Sequence, residues 1–343
     1  MIEQELNGIF ISKPENIRYF SGFSGSSGML LISDNVSQLL TDFRYVEQAT
    51  NQAKGFDVIR YSGSVYEKLA ESTLKLGLIT MGFESDHITY DMFTELSDAM
   101  PNVTLVPIQI DTLRMIKDAN EVAAITKAVE IADEAFSHIL SYVKPGISEQ
   151  SVALELEYYM GKLGAEKPAF ETIVASGNRG ALPHGRASNK IIDPGDFVTM
   201  DFGAVYQGYH SDITRTICIG AATTKQRRIY EIVLAAQVAG VQAVYPGKTG
   251  KTIDAIARKI IVDAGYGEYF GHGLGHSLGL AIHEEPRLSP ANTQTVLMTN
   301  MVVTVEPGIY LPEWGGVRIE DTVLISADGC QVLTASSKEL LEI

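Results

Sequence analysis

The sequence predicts an α/β (α+β) protein in two domains, a small α/β module over residues 1–113 and a larger domain over residues 114–343. Three observations lead there. The chain has 343 residues, more than one ordinary domain uses. Up to about residue 111, short apolar runs alternate with amphipathic stretches, the texture of strands and helices taken in turn. Beyond that point two long helical patterns begin, and glycine-rich turns then separate apolar runs. Hydrophobic residues make up 45% and charged residues 20%, the balance of a globular chain with a core to bury.

In the first domain residues 8–12, 29–33, 38–41, 58–61 and 78–83 read as strands, and residues 43–53, 65–75 and 90–100 as helices between them. A long helix follows over 118–143, where Val122, Ile125, Val129, Ala132, Phe136 and Ile139 recur every three or four residues as one apolar stripe. Asp118 or Asn120 can cap its start, and Pro145-Gly146 ends it. Residues 149–163 form a second helix that stops at Gly164, and 225–244 and 252–264 read as two more. Residues 197–200, 302–305 and 317–319 are strands. The domain boundary falls at about 113–118, without a low-complexity linker, so tight packing of the domains is expected.

Composition narrows the function. The net charge of −15 disfavours nucleic acid and anionic membranes as partners. No apolar run approaches the ~18 residues of a membrane span. The start of the chain lacks a basic segment followed by an apolar one, so no secretory signal is expected. Cys218 and Cys330 are the only cysteines and are far apart, which suits a reducing compartment. The cytoplasm is the simplest expectation.

An internal echo points to chemistry. Val198-Thr199-Met200-Asp201-Phe202-Gly203 resembles Val303-Thr304-Val305-Glu306-Pro307-Gly308, and a second acid near a Thr follows each, Asp212-Ile213-Thr214 and Glu320-Asp321-Thr322. Two hairpins with one acid per strand suggest a duplicated half-site. If the hairpins face each other, Asp201, Asp212, Glu306 and Glu320 repel and raise one another's pKa, which bound cations would relieve. Four negative charges match two divalent ions. Carboxylates with one imidazole suit Mn2+ or Co2+ better than a structural zinc. The imidazole is expected from Gly271-His272-Gly273-Leu274-Gly275-His276, because five of the seven histidines fall between His184 and His283. Three glycines within six residues argue against a helical zinc motif there, and the missing Lys-Ser/Thr ending argues against a phosphate loop.

The runs Ala181-Leu182-Pro183-His184-Gly185, Asp201-Phe202-Gly203, Ser211-Asp212-Ile213-Thr214-Arg215-Thr216 and Gly271 to His276 carry a resemblance. So do His283-Glu284-Glu285-Pro286, Val305-Glu306-Pro307-Gly308-Ile309-Tyr310 and Gly315-Gly316-Val317-Arg318-Ile319-Glu320-Asp321. Together they resemble the proline-specific branch of the pita-bread metallopeptidases, which holds prolidase and aminopeptidase P. Methionine aminopeptidase is a more distant relative. Asn16-Ile17-Arg18-Tyr19-Phe20, residues 22–28 and Thr41-Asp42-Phe43-Arg44-Tyr45 are similar to the smaller creatinase/prolidase-like domain of such proteins.

The resemblance implies Asp201 on one ion, Asp212 and Glu320 bridging two, and His276 and Glu306 completing the second. It implies a substrate site lined by His184, His272 and His283, with a homodimer as the assembly. Mn2+ is the expected ion, Co2+ or Zn2+ the alternatives. The expected reaction is hydrolysis of the Xaa-Pro bond, releasing the first residue of peptides with proline second. In it Glu306 would relay a proton, and His283 with His184 would donate to the developing oxyanion or the proline carbonyl. Apolar and aromatic residues near His283 and Tyr310 would hold the proline ring.

Arg287 stands where dipeptide-specific relatives carry a carboxylate clamp, which favours a dipeptidase; a surface ion pair is the plain alternative. The N-terminal domain favours an aminopeptidase acting on longer peptides, the leading expectation. Arg318, two residues before Glu320, is expected on the same strand face, orienting ligands. Residues 22–28 superficially match a glycine-rich cofactor loop, but no βαβ frame or ribose acid accompanies them, and a capping or subunit-contact loop is expected instead. The rival from another class is a catalytically silent pita-bread protein that binds peptides.

Overall fold

The computed structural model describes residues 5–343 and divides into two compact units between Arg114 and Met115. The first unit runs β1 (Gly8–Ile11), α1 (Pro14–Ser21), β2 (Met29–Ser33), β3 (Ser37–Thr41), α2 (Val46–Gln52), β4 (Asp57–Arg60), α3 (Val65–Leu76), β5 (Thr80–Glu84), α4 (Tyr90–Ala99) and β6 (Thr104–Ile108). Its six strands form one mixed sheet in the order β4-β3-β2-β1-β5-β6. Phe10, Leu31, Leu40, Leu69, Met81 and Leu96 are buried together against it. The glycines of 22–28 serve packing. Gly22 ends α1 at φ 73°, and a Cβ at Gly25 or Gly28 would strike the Phe23 ring at 2.2 or 2.8 Å.

The second unit opens with α5 (Ala119–Ile139) and α6 (Glu149–Lys162). Asp118 is the cap: its side chain accepts from the Glu121 amide at 2.9 Å while the Glu121 carboxylate accepts from the Asp118 amide at 2.8 Å. The apolar stripe of α5 is buried from Ile125 to Ile139, whereas Val122 is half-buried. Then come β7 (Lys167–Pro168), β8 (Ile173–Ser176), β9 (Phe197–Phe202), β10 (Ala204–Tyr206), β11 (Tyr209–His210) and β12 (Ile213–Cys218). After α7 (Thr224–Ala243) and α8 (Gly250–Asp263) follow β13 (Gly275–Ser277), β14 (Glu284–Leu288), β15 (Val302–Val305), β16 (Gly308–Leu311), β17 (Gly315–Arg318), β18 (Asp321–Ser326) and β19 (Gly329–Val332).

Two antiparallel sheets dominate, β12-β9-β8 and β14-β13-β15-β18-β19. The core under the first joins Val198, Met200 and Phe202 to Ala132, Phe136 and Leu156 of α5 and α6. Under the second, Val303, Val305 and Val323 pack on Val233, Ala236 and Ala257 of α7 and α8. Each sheet thus has a helix pair behind it, which leaves the strand ends free to carry polar groups. Both cysteines are free thiols. Among the described residues no helix is long and apolar enough to cross a membrane.

Candidate metal centre

The two echoing segments fold into two hairpins. In the first, β9 pairs antiparallel with β12 and sets Asp201 opposite Thr214, two residues beyond Asp212. In the second, β15 pairs antiparallel with β18 and sets Val305 opposite Asp321, so Glu306 and Glu320 leave the ladder at the same end. The hairpins are tied together: the Glu320 amide donates to the Thr214 carbonyl at 3.1 Å, and Thr214 Oγ1 donates to Glu320 Oε2 at 2.7 Å. His276 lies on β13, whose backbone is held by a bond from the His276 amide to Thr304 Oγ1 at 3.1 Å. The segment is extended, as its glycines imply; a Cβ at Gly275 would lie 2.0 Å from the Thr304 carbonyl oxygen.

His276 Nε2 is 3.5 Å from both Asp212 Oδ2 and Glu306 Oε1. Asp212, His276 and Glu320 each offer a ligand atom within 4.8 Å of the others. All three side chains are buried. Burial first, then the neighbouring carboxylates, pushes Asp212 and Glu320 well above the usual carboxylate range. Burial likewise raises Glu306 to about 7, partly offset by His276. Asp201 Oδ1, Asp212 Oδ1 and Glu320 Oε1 are buried and find no hydrogen-bond partner among the described residues. Orphaned acceptors of one sign, aimed at one point, are what divalent cations satisfy. The donor set fits such ions.

Every residue expected at the site lines one cavity of about 720 Å3. His283 packs against His276 with ring centroids 4.4 Å apart. His272 shares a 2.8 Å hydrogen bond with the Tyr310 hydroxyl. Burial lowers the pKa of both His272 and His283 to about 4, so each is a neutral imidazole at neutral pH. His184 sits in a turn outside any strand and reaches the same cavity. Arg287 is at the rim, exposed, its Nε 3.5 Å from Glu285 Oε1.

Arg318 differs from its expected setting. It ends β17, and Glu320 lies past the strand, where the chain leaves the β16–β17 hairpin for β18; the two are not on one strand, although both side chains reach Thr214 Oγ1 and line the same cavity. Arg318 makes direct contacts: Nη2 donates to Asp201 Oδ2 at 2.6 Å, Nη1 to the Tyr310 hydroxyl at 2.9 Å, and Nε to Thr214 Oγ1 at 3.0 Å. It is the buried cation that partly compensates the acid cluster. Sequence reasoning missed Phe170 and Ile282, which supply apolar wall to the cavity. Adjacency to His283 could have suggested Ile282. No spacing marks Phe170.

The pattern of the family described as Metallopeptidase family M24 matches residues 123–327, and that of the Creatinase/Prolidase N-terminal domain matches residues 1–116. The chain is 46% identical to the Xaa-Pro dipeptidase of Pyrococcus furiosus, over 99% of this chain and 97% of that protein. Among solved structures it is similar to an Xaa-Pro dipeptidase from Bacillus anthracis, with 46% identity, a TM-score of 0.97 and coverage of 100% of this chain and 96% of that one. It is also similar to an X-Pro aminopeptidase from Thermotoga maritima MSB8, with 39% identity, a TM-score of 0.92 and 98% of each chain covered. With an acid-lined centre at the ends of two paired hairpins and matches along its whole length, the chain belongs to metallopeptidase family M24, a peptidase with a creatinase/prolidase N-terminal domain and a pita-bread domain.

Proposed function

We propose that this peptidase is an Xaa-Pro dipeptidase holding two divalent ions, with Asp201, Asp212, His276, Glu306 and Glu320 as their ligands. The observation that carries the reading is the convergence of orphaned, mutually repelling carboxylates and His276 on one wall of a cavity whose other walls are imidazole, guanidinium and apolar side chains. Such ions, when bound, lower the pKa of a shared water toward neutrality and polarise the scissile carbonyl.

The protein's own groups do the rest. The leaving nitrogen of an Xaa-Pro bond is a tertiary amide nitrogen, which must gain a proton to depart. Glu306, whose carboxyl holds a proton up to about pH 7 in the absence of cations, is suited to accept one and pass it on. His283, neutral and exposed to the cavity beside His276, offers one N–H to the oxygen that becomes charged, and His184 faces the same space. Phe170 and Ile282 give the pyrrolidine ring an apolar surface. Arg287, exposed at the rim with Glu285 Oε1 3.5 Å away, is available to pair with the free carboxylate of a dipeptide.

The dipeptide preference replaces the aminopeptidase expected from the presence of an N-terminal domain. Relatives named Xaa-Pro dipeptidase have that domain's full length as well, so its presence does not select for longer peptides. The aminopeptidase reading keeps one observation in its favour, similarity to the Thermotoga maritima X-Pro aminopeptidase. We read the ions as Mn2+, with Co2+ or Zn2+ as substitutes, the assembly as a homodimer and the compartment as cytoplasm.

Hydrolysis of Ala-Pro and Ala-Pro-Ala by chelated protein resupplied with each ion tests the proposal. Ala-Pro is expected to be cleaved at least tenfold faster at limiting substrate, and Arg287→Met to raise KM for Ala-Pro. Equal or better cleavage of the tripeptide would return the aminopeptidase reading. No cleavage of either with any of the three ions would end both.

A further inference from the structure

Of the four histidines that line the cavity, His276 lies on β13, whereas His184, His272 and His283 lie outside helix and strand, on segments with no ladder to fix them. A buried carboxylate holds each segment. Glu149, the first residue of α6 and fully buried, accepts from the amide and hydroxyl of Ser176 at 2.7 and 2.9 Å and from those of Ser188 at 3.1 and 2.7 Å. Arg179 pairs with the same carboxylate and donates to the Arg186 carbonyl at 2.8 Å. Both ends of the loop that carries His184 therefore terminate on one side chain.

Asp254 on α8 repeats the arrangement. Its Oδ1 accepts from the Leu274 amide at 3.0 Å, and it pairs in fork geometry with Arg258 one turn later, at 2.7 and 2.8 Å. Arg258 in turn donates to the carbonyls of Phe270 at 2.8 Å and His272 at 2.6 Å. The third carboxylate, Glu284, accepts from Lys117 Nζ and from the Ala281 amide, both at 3.1 Å. A Cβ at Gly279 would lie 2.6 Å from Glu284 Oε2, so the turn before His283 is folded directly onto that carboxylate. Lys117 is buried, two residues ahead of the first turn of α5.

A buried carboxylate must fill its lone pairs, and here main-chain donors of the loops fill them. The requirement works in both directions: the loop satisfies the charge, and the charge fixes the loop to a helix. Glu149 gains further from its place at a helix start. None of these groups supplies an atom to the acid cluster, so ion binding and histidine placement are carried by different side chains.

We propose that Glu149, Asp254 and the Lys117–Glu284 pair are positioning residues, each setting the place of one histidine: His184, His272 and His283 respectively. The proposal rests on the reading that these histidines meet the substrate, and adds what holds them there. It predicts a one-to-one pattern that a general loss of stability does not give.

The test uses the metal-loaded enzyme, with diamagnetic Zn2+ for NMR of the imidazole carbons and the most active ion for kinetics. Signals are assigned with His184→Gln, His272→Gln and His283→Gln. E149Q should move the His184 signal, D254N that of His272 and K117M that of His283, each leaving the other two in place. Each should lower kcat/KM on Ala-Pro by roughly 10–100-fold with the bound metal per chain unchanged. Where a charge variant does not fold, Ser188→Ala and Arg258→Lys replace it, since each weakens one clamp and leaves its carboxylate intact. Signals that all move together, signals that do not move, or a paired signal that moves while kcat/KM holds would each overturn the proposal. Failure of the substrate reading shows separately, as wild-type protein that does not cleave Ala-Pro.

Discussion

Glu306→Gln tests the electrostatics of the centre most directly. In the absence of cations, burial raises Glu306 from 4.5 to about 7. A carboxyl with a raised folded-state pKa contributes stability that is intact below about 4.5 and is lost as pH climbs through about 7, because the folded state binds the proton more tightly than the unfolded chain does. The rise from 4.5 to about 7, at about 1.36 kcal/mol for each pH unit, amounts to about 3 kcal/mol lost by the chelated protein at pH 8. That figure is an upper limit, since removing one charge lets Asp212 and Glu320 ionise more readily. Gln cannot ionise, so the variant escapes the loss. In chelator at pH 8 it should melt up to roughly 6–12 °C above the wild type for a unit of this size. At pH 4.5 the two should melt together. Adding the divalent ion reverses the order: at 100 times its Kd it stabilises the wild type by about 2.7 kcal/mol, and the variant by less. Hydrolysis should fall by at least about 100-fold, the scale for losing one such group. Scanning fluorimetry at the two pH values, with and without ion, reads all of this. A variant no more stable than wild type at pH 8, or equally favoured at both pH values, would refute the repulsion argument.

Other perturbations reach different parts of the molecule. Arg318→Lys keeps the charge beside Asp201 but loses the fork that also reaches Tyr310 and Thr214; activity should drop more than tenfold while the melting temperature falls only a few degrees. Arg318→Met leaves the carboxylates without their buried cation and should cost about 3–5 kcal/mol, read by urea unfolding. Gly275→Ala puts a methyl 2.0 Å from the Thr304 carbonyl, so β13 must move; bound metal measured by plasma spectrometry should fall with activity. Asp118→Ala breaks the capping box of α5 and should cost about 1 kcal/mol with kcat on Ala-Pro unchanged.

The acid cluster was legible because its chemistry leaves a pattern: two hairpins repeat an apolar run, an acid, a turn and a second acid, and sparse histidines crowd near them. The elements that were not legible have physical reasons. β6 contains Pro107, which removes a ladder donor and hides the strand; it is tolerated because β6 is an edge strand paired only with β5. α1 is short, and its Pro14 occupies a first-turn position that the sequence reading did not use. The helix expected over 43–53 starts later, at Val46, because Phe43 and its neighbours form the turn that leads into it. Cavity walls such as Phe170, and the pairing of Lys117 with Glu284, join residues by tertiary packing alone; no local rule connects positions 167 residues apart.

The bond from the Glu320 amide to the Thr214 carbonyl joins halves made at very different moments of synthesis. A nascent or clipped polypeptide that ends with β17 holds Asp201 and Asp212 but not Glu320. Such a piece lacks one of the acids of the proposed centre. The fold thus leaves its candidate metal centre unfinished until nearly the whole chain has emerged.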